Sequence, residues 1–240
     1  MKQVVKNLLG ELTWSKLALA KQEFRWRNKV DHSAPEISIH LRDLLNFPNG
    51  FYVEVGANDG RSFSNTYVLE KTQGWSGILV EPILHKHFES KRYRDASRNR
   101  FVYGACVDFD YIEPTLKLYF SNLMTTSDLG NSRLWAEAGS KFLNNEESVL
   151  PFWAPAIKLN KVLEDAGVTK IDFLSVDVEG AELSVLKGID FNQFEIDLIL
   201  IETTENSETF TYLREMYYDH ILNLGNNHFF KRQTRLPVTS

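Results

Sequence analysis

From residue 36 to about residue 205 the apolar positions come in short runs separated by stretches of helical spacing. The runs "FYVEVG", "GILVE", "FVYGACV", "IDFLSVD" and "DLILIE", rich in Val, Ile, Leu and Phe, predict strands over 51–56, 77–81, 101–107, 171–177 and 197–202. Helical spacing between most of them predicts helices over 64–72, 83–94, 158–166 and 181–188. One more, "EISIHLRDLLNF", is stopped by Pro48 and Asn49-Gly50. Strands alternating with helices at such intervals call for a parallel sheet covered by helices on both faces. The tail departs from this: in "HILNLGNNHFFKRQ" two apolar runs flank Gly225-Asn226-Asn227, residues that tolerate positive φ, so an antiparallel hairpin is expected there. Five parallel strands closed by such a hairpin make a mostly parallel seven-stranded α/β sheet.

Two segments lie outside the alternation. Residues 108–157 hold two apolar runs, "TLKLYF" and "SVLPFWAPAIKL", around a polar stretch. A connection of that length inside a compact domain is commonly functional, and it reads as an insertion on the substrate side. Its aromatic residues Tyr119, Phe120, Trp135, Phe152 and Trp153 suit core packing, or, for a Trp, stacking on a sugar face. At the other end Val5, Leu8, Leu9, Leu12, Leu19 and Trp26 share one side of a helical wheel, so residues 2–28 read as one or two amphipathic helices and 29–35 as a linker. The expected organisation is a basic helical arm over 1–35 and an α/β domain over 36–240.

Charge sharpens that division. The chain carries a formal −5, yet residues 1–30 carry +5, which leaves −10 for the rest. An acidic body excludes a general nucleic-acid clamp, and no DNA partner is expected. The arm suits packing on the core or self-association, as in a homodimer, with a membrane-surface contact as the second reading. The single Cys106 excludes an intramolecular disulfide and a multi-cysteine zinc site. Lys6, Glu11 and Lys16 interrupt any signal-peptide core, and nothing else approaches a membrane span, so a cytoplasmic location is expected.

In an open α/β sheet, ligands bind beyond the carboxyl ends of the strands. The predicted ends here carry Gly56, Asn58 and Gly60 after the first strand, Glu81 after the second, Asp177 and Glu179 after the fourth, and Glu202 after the fifth. Glycines let a backbone approach a ligand closely, and a carboxylate accepts two hydrogen bonds from ribose hydroxyls. A loop followed by an acid of this kind also suits a dinucleotide enzyme, but that normally requires G-x-G-x-x-G for the pyrophosphate, which this loop lacks. The three acids after the fourth and fifth strands suit proton acceptance, although Glu179 could serve only the helix dipole and Glu202 only neighbouring loops. They could hold a divalent cation as well; no His or second Asp is fixed beside them, and no metal is expected. His85 and His87 read as surface residues, while His220 and His228, flanking the hairpin, could reach the acceptor side.

Taken in order, "VEVGANDG", "ILVEP", "GACVD", "IDFLSVDVEGAELSVLKGID" and "LILIE" resemble the FkbM family of S-adenosylmethionine-dependent methyltransferases, over about residues 50–205. "SNTYVLEKTQGWSGILVEP" looks like the branch of that family with Ser-Asn-Thr at the start of its first helix. The resemblance implies the class I methyltransferase fold, Rossmann-like, and S-adenosyl-L-methionine as cofactor. Glu54, Gly56, Ala57, Asn58 and Gly60 match its first motif, facing the methionine part, with Ser64 and Asn65 beyond. Glu81, followed by Pro82, matches the ribose-binding acid, and Ala105, Cys106 and Asp108 fall where the adenine is held. Asp177 falls beside the transferred methyl. It further implies O-methylation of a small-molecule or glycan acceptor, often at a sugar hydroxyl, for which the strand-end acids Asp177, Glu179 and Glu202 are the catalytic candidates. Two other readings stand beside it: an RNA or polyanion acceptor gripped by the basic arm, and a non-catalytic binding protein on the same fold.

Overall fold

The computed structural model describes residues 33–129, 136–137, 139–143 and 148–233. The amphipathic helices expected over 2–28 lie outside the described residues, as does Trp135. Among the described residues eleven strands and six α-helices position the site. They run α1 (Pro35–Leu44), β1 (Phe51–Val55), α2 (Tyr67–Gln73), β2 (Ser76–Glu81), α3 (Leu84–Tyr93), β3 (Asn99–Tyr103), β4 (Ala105–Cys106), β5 (Thr115–Phe120), β6 (Thr126–Ser127), β7 (Leu150–Ile157), α4 (Leu159–Asp165), β8 (Lys170–Val176), α5 (Glu182–Lys187), β9 (Glu195–Glu202), α6 (Glu208–Glu215), β10 (Tyr218–Leu224) and β11 (Asn227–Arg232).

Seven strands form one sheet in the order β10-β11-β9-β8-β1-β2-β3, with β11 alone running against the others. The chain builds outward from β1 to β3, then returns to add β8 on the other side of β1. The order therefore reverses between β1 and β8, where a crevice opens above the strand ends. Alternation within the strands gives the sheet two apolar faces. On one, Val53, Val55, Leu174 and Val176 pack with Leu159, Leu163, Val185, Leu186 and Leu213 of α4, α5 and α6. On the other, Tyr52, Phe173, Leu198 and Phe229 pack with Ile37, Leu41 and Leu69 of α1 and α2. With seven residues each, α2 and α4 are too short to persist alone, so burial on the sheet holds them, at about 2 kcal/mol for each large side chain. In the hairpin Leu224 pairs with Asn227, leaving a two-residue turn with Gly225 at φ 64°.

Several expectations need correction. The run "FVYGACV" is not one strand: β3 ends at Tyr103, and after Gly104 the chain enters a second sheet. That sheet, in the order β4-β7-β5-β6, organises the insertion expected over 108–157. The helix expected over 64–72, α2, starts at Tyr67, because Ser64 Oγ accepts the N–H groups of Thr66 and Tyr67 and acts as a cap from outside the helix. His87 is buried against Tyr103 and Phe88, not on the surface. The helix α6 was not expected; Ser207, whose Oγ accepts the Phe210 N–H, and the buried pair Thr209 and Leu213 four apart are its sequence signals.

Candidate active site

Above the β1/β8 crevice lies a cleft with about 960 Å³ of empty space, part of it open to solvent. Its walls come from the loop after β1, the ends of β2 and β8, Ala105 and Cys106 of β4, Leu116 and Leu118 of β5, and Asn122, Thr125 and Ser127 of the insertion. The insertion is tied down where it meets the β8 tip: the buried Thr126 donates its hydroxyl to the Glu179 carbonyl at 2.8 Å.

Gly56 lies where the β1 and β8 tips meet. Its φ is 85°, and a Cβ there would fall 1.8 Å from the Asp177 carbonyl oxygen, so only glycine fits. Beside it the buried Glu81 accepts the Asn58 N–H on one carboxylate oxygen and the Ile83 N–H on the other, both at 2.7 Å. Burial outweighs these bonds and lifts the Glu81 carboxyl to about 7. Glu54 is a buried acid on the strand face that carries Tyr52. Its Oε2 accepts the hydroxyls of Ser64 (2.8 Å) and Thr66 (2.6 Å), and its Oε1 accepts the Asn65 N–H (2.9 Å). Asn65 in turn donates to Ser175 Oγ across the sheet. Burial raises the Glu54 carboxyl, with the nearby Arg94 and the bonded hydroxyls acting against it.

On the β8 side Asp177, Glu179 and Glu202 bring their carboxylate oxygens within 4.8 Å of one another. Desolvation and then mutual repulsion push Asp177 to about 7 and Glu179 to about 8. Solvent enters the cleft as far as Asp177, so water screens part of that effect. The donor set suits shared protons, and it would equally suit a hard cation. Cys106, buried in the opposite wall, has its thiol pushed up to about 12 by burial alone and is no nucleophile.

The cleft gathers Glu54, Gly56, Ala57, Asn58, Ser64, Asn65, Glu81, Pro82, Ala105, Cys106, Asp177 and Glu179. Three of the residues singled out from sequence stand elsewhere. Gly60 packs on Ser90 and gives its carbonyl to Arg94. Asp108 turns its carboxylate to Ser184 Oγ and the Tyr111 N–H, closing the turn after β4. Glu202 stands behind Asp177 and Glu179 without lining the cleft. His220 and His228 do not reach the acceptor side: their ring nitrogens lie 3.0 Å apart beneath Phe210. Trp153 is exposed and lies opposite Lys117, on the strand face away from Leu116, Leu118 and the cleft.

Residues 54–231 match the methyltransferase FkbM domain. The chain belongs to the FkbM methyltransferase family. Among curated relatives, the methyltransferase sdnD of Sordaria araneosa is 31% identical over 196 residues, covering 70% of this chain and 72% of that protein. Among solved structures, a methyltransferase from Geobacter sulfurreducens superposes with a TM-score of 0.45 at 12% identity, covering 90% of this chain and 88% of that one. The methyltransferase FkbM from Methylobacillus flagellatus gives 0.44 at 13% identity, covering 88% and 59%.

The methyl donor of FkbM methyltransferases is S-adenosylmethionine, and the cleft has the chemistry to fit it. A buried carboxylate faces the cleft beside a glycine that no side chain could replace, as a ribose and an adjoining chain require. Ala105, Cys106, Leu116 and Leu118 form an apolar wall for a flat base. Reading the sequence missed Phe63, Asn122, Thr125 and Ser127, which also line the cleft. Nothing in their spacing marks them; the second sheet brings three of them there. Among the described residues no helix is long and apolar enough to cross a membrane.

Proposed function

We propose that this FkbM methyltransferase moves the methyl group of S-adenosylmethionine to a hydroxyl of a carbohydrate-type acceptor, and that the acceptor lies between the β8 tip and the insertion. The observation that carries this reading is the convergence of Gly56, Glu81 and Asp177, distant in sequence, on a single cleft. In this reading Glu81 accepts the ribose hydroxyls, Ala105 and Cys106 pack on the adenine, and Gly56 to Asn58 pass along the methionine chain. Glu54, Ser64 and Asn65 close the far end around the ammonium.

When bound, the cofactor supplies a methyl group on a sulfonium, open to in-line displacement. The chain's own task is to orient the acceptor oxygen and take its proton. Asp177, at about 7, has the affinity for that proton which neutral pH favours, and Glu179 and Glu202 share the charge. The polar side chains of Asn122, Thr125 and Ser127 face the same space and suit hydrogen bonds to a polyhydroxyl acceptor. The basic arm over 1–35 would serve attachment or self-association and not the chemistry.

Calorimetric titration with S-adenosylhomocysteine, followed by a panel of sugars and glycosides assayed with methyl-labelled cofactor, tests the proposal. Binding of the product and label transfer to a hydroxyl are expected. Absence of binding would remove the cofactor assignment, and label found only on nitrogen or on RNA would remove the acceptor class.

A further inference from the structure

Arg94 ends α3 and its side chain is wholly buried, yet it lines no part of the cleft. Its guanidinium reaches the loop after β1 from below. Nη1 donates to the Gly60 carbonyl (3.1 Å) and to Ser64 Oγ (3.4 Å), and Nη2 donates to Thr66 Oγ1 (2.6 Å) and to Tyr52 OH (2.7 Å). Nε lies 2.8 Å from Glu70 Oε2, an ion pair without the alignment of a hydrogen bond. Five groups hold this one buried cation, three of them hydroxyls; two of these, on Ser64 and Thr66, lie between it and Glu54.

Those hydroxyls matter because of where their protons must go. Ser64 Oγ accepts from Arg94 and from the Thr66 and Tyr67 N–H groups, and Thr66 Oγ1 accepts from Arg94. Three N–H donors fill the Ser64 oxygen, so its proton goes to Glu54 Oε2, and Thr66, with Arg94 on one lone pair, donates to the same carboxylate oxygen at 2.6 Å. Glu54 Oε1 accepts one backbone N–H, which leaves it a further lone pair, and Glu54 lines the cleft.

We propose that Arg94 is a positioning residue for cofactor binding: through the Ser64 and Thr66 hydroxyls it holds Glu54 as an anion aimed into the cleft, ready for the ammonium of the methionine moiety. The inference rests on the functional reading above and extends it to a residue that touches neither cofactor nor acceptor. The charged and titratable groups around Glu54 are Arg94 from the end of α3, Tyr52 on its own strand and Asp177 at the β8 tip, with Glu70 of α2 paired to the same Arg94. Arg94 is the cation among them. Without it, the buried Glu54 keeps its proton to higher pH, and an ammonium loses its counter-charge as pH falls.

The test compares Arg94→Met, Arg94→Lys and Thr66→Val with the wild-type chain. Melting temperature is measured together with S-adenosylhomocysteine affinity by calorimetry from pH 6 to pH 8.5. In Arg94→Met the affinity should fall about tenfold or more at pH 8, and the ratio to wild type should widen as pH drops. Arg94→Lys keeps the cation but loses the fork, so its affinity falls while its ratio stays flat with pH. Thr66→Val, which leaves Arg94 in place and is the milder change should Arg94→Met fail to fold, should weaken binding about threefold in the same pH-dependent sense. A lower melting temperature with unchanged affinity, or a deficit in Arg94→Met and Thr66→Val that does not vary with pH, would leave Arg94 a structural residue and overturn the proposal. Failure of the wild-type chain to bind would instead overturn the functional reading beneath it.

Discussion

Replacing Glu81 by Gln should make the enzyme worse and should change the stability of the fold in a pH-dependent way that separates the two effects. In the folded chain the carboxyl titrates at about 7, against 4.5 for an unperturbed group, because burial disfavours its charge. Between those values the folded chain keeps a proton that the unfolded chain has released, so this group lowers stability as pH rises and its full cost is present above 7. At about 1.4 kcal/mol per pH unit the cost reaches about 3 kcal/mol. Gln does not titrate and escapes it. Set against this, Gln offers one acceptor oxygen to the two N–H groups of Asn58 and Ile83, and the lost bond costs about 1–3 kcal/mol at every pH. The difference in melting temperature, variant minus wild type, should therefore climb by about 6–12 °C between pH 4.5 and pH 8, whatever its starting sign. Differential scanning calorimetry across that range checks it, the other carboxyls being common to both proteins. Calorimetry at pH 8 should show S-adenosylhomocysteine binding weakened at least tenfold, about what one charge-assisted hydrogen bond contributes. A melting difference that does not vary with pH would refute the desolvation argument, and unchanged affinity would refute the ribose role.

Three further outcomes follow from the same geometry. Asp177→Asn should lower methyl transfer about a hundredfold or more, and it should abolish the rise in wild-type turnover through pH of about 7 that ionisation of this acid would give; steady-state rates against pH decide it. Gly56→Ala should cost several kcal/mol, combining a left-handed backbone with a Cβ driven into the Asp177 carbonyl, and should abolish cofactor binding; a melting temperature within about 2 °C of wild type would contradict this. Asp108→Ala should leave S-adenosylhomocysteine affinity within about twofold of wild type while slightly lowering stability, since its carboxylate serves the Ser184 and Tyr111 turn; calorimetry measures both.

What the chain discloses before folding divides along a physical line. Parallel strands buried on both faces must be apolar nearly throughout, so β1, β2, β8 and β9 stood out, and the polar residues at their tips stood out against them. Gly56, Glu81 and Asp177 were legible for that reason. The resemblance put Asp108 by the adenine, just past the strand expected over 101–107, but β3 stops at Tyr103 and the chain changes sheets at Gly104, so that strand end never forms and Asp108 turns away. The acceptor-side wall was illegible for a related reason. Asn122, Thr125 and Ser127 are ordinary polar residues in a polar stretch, and only the pairing of β5 with β6 and β7 sets them over the cleft. Arg94 was hidden in another way: a basic residue ending an exposed-looking helix reads as solvated, and its burial depends on Glu70, Asn99 and Tyr52 arriving from three other elements.

The cleft also gathers most of what the fold holds at a cost. Of the six described non-glycine residues with positive φ, Asn58, Phe63, Asn122 and Glu179 line it, and for Phe63 and Glu179 that backbone is costly. Glu54, Glu81, Asp177 and Glu179 lie in or against it with their carboxyls raised by burial. A strand tip shaped for stability alone would carry apolar or small residues at these places, as Val80 and Val176 do one position before Glu81 and Asp177. A bound sulfonium and ammonium would supply positive charge where four acids are desolvated, and ribose hydroxyls would supply donors to Glu81. The ligand would then relieve the same terms that destabilise the empty fold. Its stabilising effect should accordingly exceed what a ligand without that charge provides: at one equal concentration S-adenosylhomocysteine should raise the melting temperature by more than its analogue lacking the amino group, and equal shifts would refute the relief.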